Sequence, residues 1–484
     1  MRAIPAGRRD GGYRHVLEIA GPLVMAQASA TVMSFVDRIF LARYSTNALA
    51  GAMFASIAGW TVLSLFMGTT GYTGTFVAQY FGAGRHERIS VAVWHGVYVA
   101  LISAVLLFVI SRFAGPLMRF ADHSPEAQAE EVVYFRIFVS GAGLMIMTGA
   151  LSSFYGGLGK TYYNMAIHIP GHILNVILNY ALIFGRFGLP RWGTRGAATA
   201  TVIASGAICL TFVIFVRFGR LGREFGILRR PIFEMALFRR LIRYGLPNGV
   251  QWTVDMVGWT AFVMLMYRIG AAEQQGGSIA FSINHLAFLP MIGFGIATSI
   301  LVGQFVGRGE TDLAERATRS AFKMTFVYMA LVATVFVLFG GPLTRLFRPG
   351  EIGGNWPEAY RIAIVFLRFV AIYSLFDAFN IIYSSALKGA GDTRFVMVMI
   401  TSLSGLCLVL PVYLAVEVWK AGFLTAAMIG TTYVGLLALA FRLRYKSGAW
   451  KSMRVIEEDS EQAPSVVPKV TAAIRGNPVR PDKH

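Results

Sequence analysis

Long apolar stretches separated by short polar segments run along nearly the whole chain. Stretches such as Val97–Ile110 and Phe395–Val416 contain no charged residue. A helix of about 20 apolar residues crosses a bilayer, and only helices and closed barrels satisfy their backbone groups there. The pattern predicts an all-α integral membrane protein with twelve transmembrane helices, at approximately 16–42, 49–77, 91–114, 130–156, 162–185, 196–217, 241–268, 279–304, 318–341, 359–387, 395–416 and 422–444.

Identical residues recur in the two halves of the chain at two fixed offsets. At an offset of 225 positions, the matched pairs are Pro22 and Pro247, Gln79 and Gln304, Gly82 and Gly307, and Gly84 and Gly309. At an offset of 232 positions, they are Arg136 and Arg368, Gly157 and Gly389, Gly159 and Gly391, and Thr161 and Thr393, with the Pro-Glu-Ala runs that begin at Pro125 and Pro357. These matches predict a duplicated unit of roughly 220 residues, an arrangement typical of membrane transporters.

Each copy of the unit holds six predicted spans. Because six is even, the second copy enters the membrane in the same orientation as the first. The two lobes are therefore predicted to be related by a pseudo-twofold axis along the membrane normal, with the transport pathway between them. The predicted parts are an N-terminal segment at 1–15, a first lobe at 16–217, a basic linker at 218–240, a second lobe at 241–445 and a disordered, polar tail at 446–484.

The composition excludes an ordinary soluble protein. Hydrophobic residues make up 55% of the chain and charged residues 14%, whereas soluble domains contain about 25% charged residues. The first 15 residues are polar and basic, with no cleavable signal peptide, so the first span is expected to direct its own insertion. The only cysteines, Cys209 and Cys407, lie in apolar runs, and we expect packing roles and no disulfide.

The net charge of +19 is distributed unevenly between the two sides of the membrane. If the amino terminus is cytoplasmic, about 30 of the 44 Lys and Arg residues lie on the cytoplasmic side, including those of the linker and the tail. This bias predicts that both termini are cytoplasmic in a multi-pass inner-membrane protein. Attraction to anionic lipid explains the high charge, so no nucleic-acid partner is expected.

Three acidic residues lie inside predicted spans: Asp37, Asp255 and Asp377. An ionisable group costs at least a few kcal/mol inside a bilayer, so each one indicates a function. Tyr373 and Asn380 fall on the same helical face as Asp377. Together they offer a carboxylate, a phenol and an amide oxygen, which could bind Na⁺, or the carboxylate could exchange a proton.

The alternative is that these acids form structural ion pairs with Arg136, Arg268 or Arg368. For Asp37 this alternative is stronger, because Arg38 and Arg43 follow closely. Asn175 and Asn179 lie one turn apart in the fifth span, where they could join the cation site or simply bond neighbouring helices.

The remaining polar and aromatic side chains divide into a substrate site and residues without an assigned role. Substrate binding is predicted at Asp377, Asn284, Phe288 and Trp259, because aromatic rings can line a cavity for flat cations. His168, His172 and His285 have no acidic or cysteine neighbour at ligand spacing, so no metal site is predicted.

Glycine pairs follow four of the spans, in QYFGAG, QFVGRG, GLGKT and GAGDT. GLGKT lacks the six-residue frame of a phosphate-binding loop, and no ATPase domain is apparent. We interpret all four as tight turns. The energy source is then an ion gradient and the chain is not an enzyme; no cofactor is expected beyond Na⁺ or H⁺ as the coupling ion.

In their order along the chain, these features resemble the multidrug and toxic compound extrusion (MATE) family, in its bacterial NorM-like branch. The resemblance spans about 16–445 and rests on Pro22 with Asp37, the Q..GAG turn, Asn175 with Asn179, LIFGRFGLPRWGTRGAA, the Pro247–Asp255 spacing, P.IGFGIATSILVGQFVGRG and D.....YSSALKGAGDT.

The resemblance implies an inner-membrane antiporter that expels amphipathic, often cationic compounds in exchange for Na⁺ or H⁺. It implies that Asp255, Tyr373 and Asp377 form the cation site of the second lobe, and that Asp37, Asn175 and Asn179 form the polar cluster of the first. Two residues depart from the family pattern. Asp255 stands where Glu is usual, and Ile183 stands where some proton-coupled relatives carry an acid.

The sequence thus predicts a secondary active drug antiporter that works by alternating access, as a monomer, on small-molecule drugs or organic cations. One rival is a flippase for lipid-linked oligosaccharides from the same superfamily, whose anionic substrate would require arginines in the cavity. A rival of another class is a channel or a membrane receptor that does not transport.

Overall fold

The chain folds into a bundle of long helices. A computed structural model describes residues 11–119, 124–227, 231–348 and 356–457. The helices of the first half are α1 Tyr13–Tyr44, α2 Thr46–Gly71, α3 Thr73–Gly82, α4 His86–Arg112, α5 Ala114–Arg119, α6 Pro125–Gly141, α7 Gly143–Gly157, α8 Thr161–Phe184, α9 Thr194–Phe218 and α10 Arg220–Glu224. Those of the second half are α11 Met235–Tyr267, α12 Ala271–Arg308, α13 Thr311–Arg345, α14 Trp356–Ala390, α15 Thr393–Leu403, α16 Leu410–Tyr413 and α17 Phe423–Lys446, with π-helical turns at Ser404–Val409 and Leu414–Val418.

Two spans that the sequence predicts as single helices are each broken once. The second span consists of α2 and α3 with a break at Tyr72, and the fourth consists of α6 and α7 with a break at Ala142. The eleventh span alternates between α and π turns. Pro411 lies within it and has no N–H to donate to the preceding turn, which disturbs the regular bonding of an α-helix there.

Eleven helices in the described ranges are long and apolar enough to cross a membrane. The remaining predicted span corresponds to α11, which has 33 residues and is therefore long enough. Its hydropathy is reduced by three arginines near its start and by Asn248, Gln251 and Asp255. Two of these polar side chains face protein, since Asn248 and Gln251 are both buried. Burial between helices explains how a span with so many polar residues is tolerated.

The helices form two lobes, α1–α9 and α11–α17, which meet along α2 and α11 and along α12 with α1 and α3. Each lobe packs chiefly on itself, through pairs such as α1 with α8 and α12 with α14. We call the end of the bundle where α1 begins and α17 ends the terminal face. The linker also lies there, because the Glu234 carboxylate accepts from Arg88 at the start of α4 at 2.7 Å.

Two glutamines join the lobes at the terminal face. The Gln79 side-chain amide donates to the carbonyl of Gly389 at 3.0 Å, and the Gln304 amide donates to the carbonyl of Gly157 at 2.7 Å. Gln79 and Gln304 are repeat equivalents, and so are Gly157 and Gly389. Such reciprocal contacts are what a twofold axis between the lobes requires.

Two repeated glycines allow this close approach. A Cβ atom on Gly82 would overlap the backbone carbonyl of Gln304, and a Cβ atom on Gly307 would overlap that of Gln79. The ends of α3 and α12 therefore touch backbone to backbone, as small residues permit in membranes.

The boundaries at the terminal face differ from the prediction. The linker predicted at 218–240 is shorter, because Arg220–Glu224 is helical and α11 begins at Met235. The tail predicted to be disordered from 446 is ordered as far as residue 457. Trp450, Val455 and Ile456 are buried there, so this part of the tail carries enough apolar surface to pack. The predicted segments at 1–10 and 458–484 lie outside the described residues.

Gly82→Ala is expected to separate α3 from α12 and to lower the melting temperature of the purified protein by several degrees. Overpacking against backbone typically costs about 1–3 kcal/mol. Gly71→Ala is the matched control, because nothing lies within 4 Å of a Cβ atom there. An equal melting temperature for both variants would contradict this account of the lobe contact.

Candidate functional site

The second lobe brings two intramembrane carboxylates together. Asp255 on α11 and Asp377 on α14 interact electrostatically across the space between their helices. Asp377 is 7% exposed and Asp255 is half-buried. Neither belongs to a salt bridge among the described residues. Arg268, one of the alternative partners, instead pairs with Glu417 at 2.9 Å.

Polar and aromatic side chains surround this carboxylate pair. The Asn284 amide on α12 donates to the Tyr373 hydroxyl at 3.0 Å, one helical turn from Asp377. The Asn284 Oδ1 atom is buried and has no hydrogen-bond partner among the described residues. Asn380, one turn along the same helix, lies close enough to interact with the Asp377 carboxylate. The cluster therefore presents several oxygen acceptors and no paired guanidinium group.

Aromatic rings form one wall of the cluster. The Trp259 ring centroid lies 6.2 Å from that of Tyr373 and 6.4 Å from that of Tyr433. Tyr433 on α17 also interacts electrostatically with both carboxylates. Phe288, predicted to bind substrate, packs against the Met291, Met329 and Ala378 cluster. Trp259 therefore lies beside Tyr373 and Tyr433 of the carboxylate cluster, while Phe288 packs against the group that contains Ala378, the residue after Asp377.

The first lobe holds a separate hydrogen-bonded carboxylate. Asp37 Oδ1 accepts from the Asn179 amide at 2.6 Å, and the same amide reaches Asn175 Oδ1 at 2.7 Å. Asn175 in turn donates to Thr201 at 3.4 Å. The buried Asn179 Oδ1 has no hydrogen-bond partner in the described part of the chain. The three predicted residues Asp37, Asn175 and Asn179 are thus in contact, and no described salt bridge joins Asp37 to Arg38 or Arg43.

The carboxylates of the two lobes lie at different depths. Asp37 follows Pro22 by 15 residues, whereas Asp255 follows the equivalent Pro247 by 8. At about 1.5 Å of rise per residue, Asp37 lies on the order of 10 Å farther from the terminal face. The two clusters are therefore not repeat equivalents.

Lys388 is a charged neighbour of the site that the sequence analysis missed. The tenth predicted span ends at residue 387, whereas α14 continues to Ala390 and includes Lys388. The Lys388 ammonium lies 3.4 Å from Gln251 Oε1, one turn before Asp255, and interacts electrostatically with Asp255. Lys388 and Gln251 are 137 positions apart in the sequence, so no local spacing of residues predicts their contact.

Histidines do not add a metal centre to the described structure. His172 Nδ1 lies 2.7 Å from the Ser29 hydroxyl, and its ring lies 5.7 Å from that of His168. No group of three or more His, Cys, Asp or Glu side chains in the described ranges is arranged to hold a metal ion.

Comparison with known families decides the class of the protein. The MatE family model matches residues 22–181 and 251–414, one segment in each lobe. The chain belongs to the MATE transporter family. The family resemblance predicted from the sequence motifs is therefore confirmed.

Two curated relatives match nearly end to end. This MATE chain is 27% identical over 459 residues to the probable multidrug resistance protein NorM of Thermotoga maritima, covering 92% of the chain and 95% of the relative. It is 29% identical over 447 residues to the multidrug resistance protein MdtK of Pectobacterium atrosepticum, covering 89% and 95%.

Solved MATE structures share the fold. A multidrug resistance MATE family transporter of the MOP superfamily, in an outward-facing conformation, superposes with a TM-score of 0.80 at 19% identity, over 90% of this chain and 96% of that one. A MOP superfamily transporter from Pyrococcus furiosus, whose binding pocket is described as reversed in polarity, gives 0.82 at 18% identity, over 92% and 97%. The predicted fold, twelve transmembrane helices in two lobes, is confirmed.

A double-mutant cycle tests the contact between Asp37 and Asn179. Asn179→Ala leaves the Asp37 carboxylate without its amide donor, and each single alanine variant is expected to lower stability. Hydrogen bonds to charged groups contribute about 1.5–3 kcal/mol. The double variant is therefore expected to be more stable than the sum of the single losses predicts, measured by thermal unfolding in detergent. Strict additivity would mean that the contact contributes nothing.

Proposed function

We propose that this MATE transporter expels amphipathic, often cationic compounds in exchange for inward Na⁺ or H⁺. The observation that carries the proposal is the pair Asp255 and Asp377, two carboxylates in membrane-spanning helices that form no salt bridge within the part of the chain that the structure describes. A structural role would favour pairing each with an arginine, since an unpaired charge in the membrane is costly. A cation or a proton that comes and goes can take the place of that partner.

The residues present fit a small cation. Hard cations bind oxygen ligands, and the cluster offers two carboxylates, the Tyr373 hydroxyl and the unpartnered Asn284 Oδ1. When both carboxylates are ionised they repel each other, and a Na⁺ ion or a proton at either one relieves the repulsion. The same oxygens suit both ions, so the choice between Na⁺ and H⁺ needs a separate test.

Competition between the ion and the drug would couple their movements. A cationic drug seated against Trp259 would be attracted by the ring face and by the same carboxylates. Binding of the coupling ion would neutralise this negative charge and release the drug. Exchange then follows without any covalent step, because one site cannot hold both cations.

Alternating access explains the direction of exchange. In the described structure the lobes are joined at the terminal face by the reciprocal Gln79 and Gln304 bonds. We propose that this face is cytoplasmic, that the protein lies in the inner membrane as a monomer, and that the structure corresponds to an outward-facing state. The excess of Lys and Arg on this side and the similarity to an outward-facing MATE structure support this orientation.

The flippase and the channel, the two rival functions, are less well supported by the structure. A flippase for an anionic pyrophosphate lipid would need basic residues in the cavity, and the site is dominated by carboxylates with Lys388 as the described cationic neighbour. A channel would need a continuous path, whereas the lobes touch backbone to backbone at Gly82 and Gly307.

Asp377→Asn is expected to abolish drug resistance while membrane insertion stays intact, because the amide preserves shape and removes the charge. The measurement is the minimal inhibitory concentration of cationic drugs, with the protein level checked in isolated membranes. Asp312→Asn, at an exposed position of α13 far from the cluster, is the matched control and should retain resistance. Full resistance in Asp377→Asn would refute the coupling role of this carboxylate.

The coupling ion can be identified in proteoliposomes with Na⁺ and pH gradients imposed separately. Drug movement driven by a Na⁺ gradient at equal pH on both sides would assign Na⁺. Movement driven only by a pH gradient would assign H⁺. Movement driven by neither gradient would contradict antiport.

Lys388→Gln is expected to tighten binding of the coupling ion by roughly three- to tenfold at constant alkaline pH, because it removes a positive charge beside Asp255. Ion titrations followed by intrinsic tryptophan fluorescence would report the affinity. Lys388→Arg should bind like the parent, and Lys446→Gln, at the exposed end of α17, is the control. Unchanged affinity in Lys388→Gln would show that this ammonium does not act on the ion site.

A further inference from the structure

The ordered part of the tail, residues 447–457, crosses from the second lobe to the first. It leaves α17 at Lys446 and is anchored there by Trp450, which is fully buried and stacks on Tyr445 with ring centroids 5.1 Å apart. Its other end inserts Val455 and Ile456 into the apolar cluster of the first lobe around Tyr80. A single short segment thus packs into both lobes.

The last described residue, Glu457, binds a basic surface on the first lobe and the linker side of α11. Its carboxylate accepts from the Tyr80 hydroxyl at 2.5 Å, from Arg88 at 2.5 Å and from Arg240 at 3.1 Å. Arg85 donates to its backbone carbonyl at 2.9 Å. We call Tyr80, Arg85, Arg88 and Arg240 the tail-binding surface.

The Glu457 side chain is ionised at neutral pH. Burial alone would raise the pKa of this carboxyl, but the hydrogen bonds from Tyr80 and Arg88 and the guanidinium charge outweigh it and hold the pKa below its usual value. The side chain is 15% exposed, so water screens these contacts only partly. A charged group held by several donors gives stronger contacts than an isolated surface ion pair.

Gln79 connects the tail to the contact between the lobes. Its Oε1 atom accepts from the backbone N–H of Val455 at 2.9 Å, while its Nε2 atom donates to Gly389 at 3.0 Å. Both polar atoms of the Gln79 side-chain amide are therefore hydrogen-bonded, Oε1 to the tail and Nε2 to the second lobe. Separation of the lobes at the terminal face would break the Gly389 bond and pull the tail, which is anchored in the second lobe, away from Gln79.

We propose that residues 447–457 are an intramolecular latch that holds the two lobes together at the terminal face and must leave the tail-binding surface before this face opens. The occupant of the surface is the chain's own tail, because its apolar side chains, its backbone and its carboxylate all fit the surface at once. The latch is separate from the exchange of drug for ion. It concerns the opening of the terminal face, and it involves no residue of the carboxylate clusters.

The proposal can be tested by distance measurements between spin labels on the full chain in detergent. Labels are placed at Glu87 on α4 and Arg394 on α15, two exposed positions on the terminal side of different lobes, after replacement of Cys209 and Cys407. The test variant is Glu457→Gln. The matched control is Glu18→Gln, because the Arg14–Glu18 ion pair at 2.9 Å joins two residues of α1 and does not involve the tail.

Glu457→Gln is expected to raise the population with a long distance between the labels about tenfold, the size expected for loss of a charge-assisted contact. Tyr80→Phe should shift the distribution in the same direction by a smaller amount. The control should keep the parent distribution. An unchanged distribution in both Glu457→Gln and Tyr80→Phe, or an equal change in the control, would overturn the latch.

These distances are measured without drug or ion gradient. A latch without antiport would show the shift but no driven transport in vesicles. Antiport without a latch would show gradient-driven transport in vesicles but no shift in the distances. The two proposals can therefore fail independently.

Discussion

The reciprocal bonds from Gln79 to Gly389 and from Gln304 to Gly157 are the contact on which the arrangement of the two lobes depends. They bring the lobes together at one end of the bundle, and the repeated glycines Gly82 and Gly307 let the backbones touch there. A polar side chain inside a membrane protein needs a partner, and backbone carbonyls at helix ends supply one. This contact at the terminal face supports the proposed outward-facing state.

Both repeats contribute the same residues to the contact at the terminal face, whereas their charged residues differ. Asp37 and Asp255 do not occupy equivalent positions in the two repeats, and Lys388 stands where the first lobe has Gly156. One lobe therefore holds a carboxylate that accepts a hydrogen bond from Asn179, which also donates to Asn175. The other lobe holds two carboxylates that lie close to each other, one of them beside an ammonium group. We infer that the second lobe carries the ion exchange, because repulsion between its acids is what a bound cation relieves.

Hydrophobic patterning and the internal repeat predicted the helices and the two lobes, and the resemblance of the motifs in their order predicted the family. The contacts within the first-lobe cluster follow from residues one turn apart and from the family resemblance. Lys388 and Tyr433 were missed because their contacts join different spans: Lys388 on α14 approaches Asp255 on α11, and Tyr433 approaches both acids from α17. No local sequence period marks such contacts. The repeated glutamines and glycines were interpreted as signs of duplication and as turns. Their role in the contact between the lobes was missed, since their partners lie in the other lobe. The ordered tail was missed because three apolar residues are a weak signal within a polar segment.

The central claim is that drug and coupling ion exclude each other at the carboxylates of the second lobe. The most direct measurement is the equilibrium affinity for a fluorescent cationic drug, determined in detergent at increasing concentrations of the coupling ion. The account predicts that the apparent dissociation constant for the drug rises linearly with the ion concentration, as competition for one site requires. A dissociation constant that stays constant while the ion is shown to bind would contradict the account.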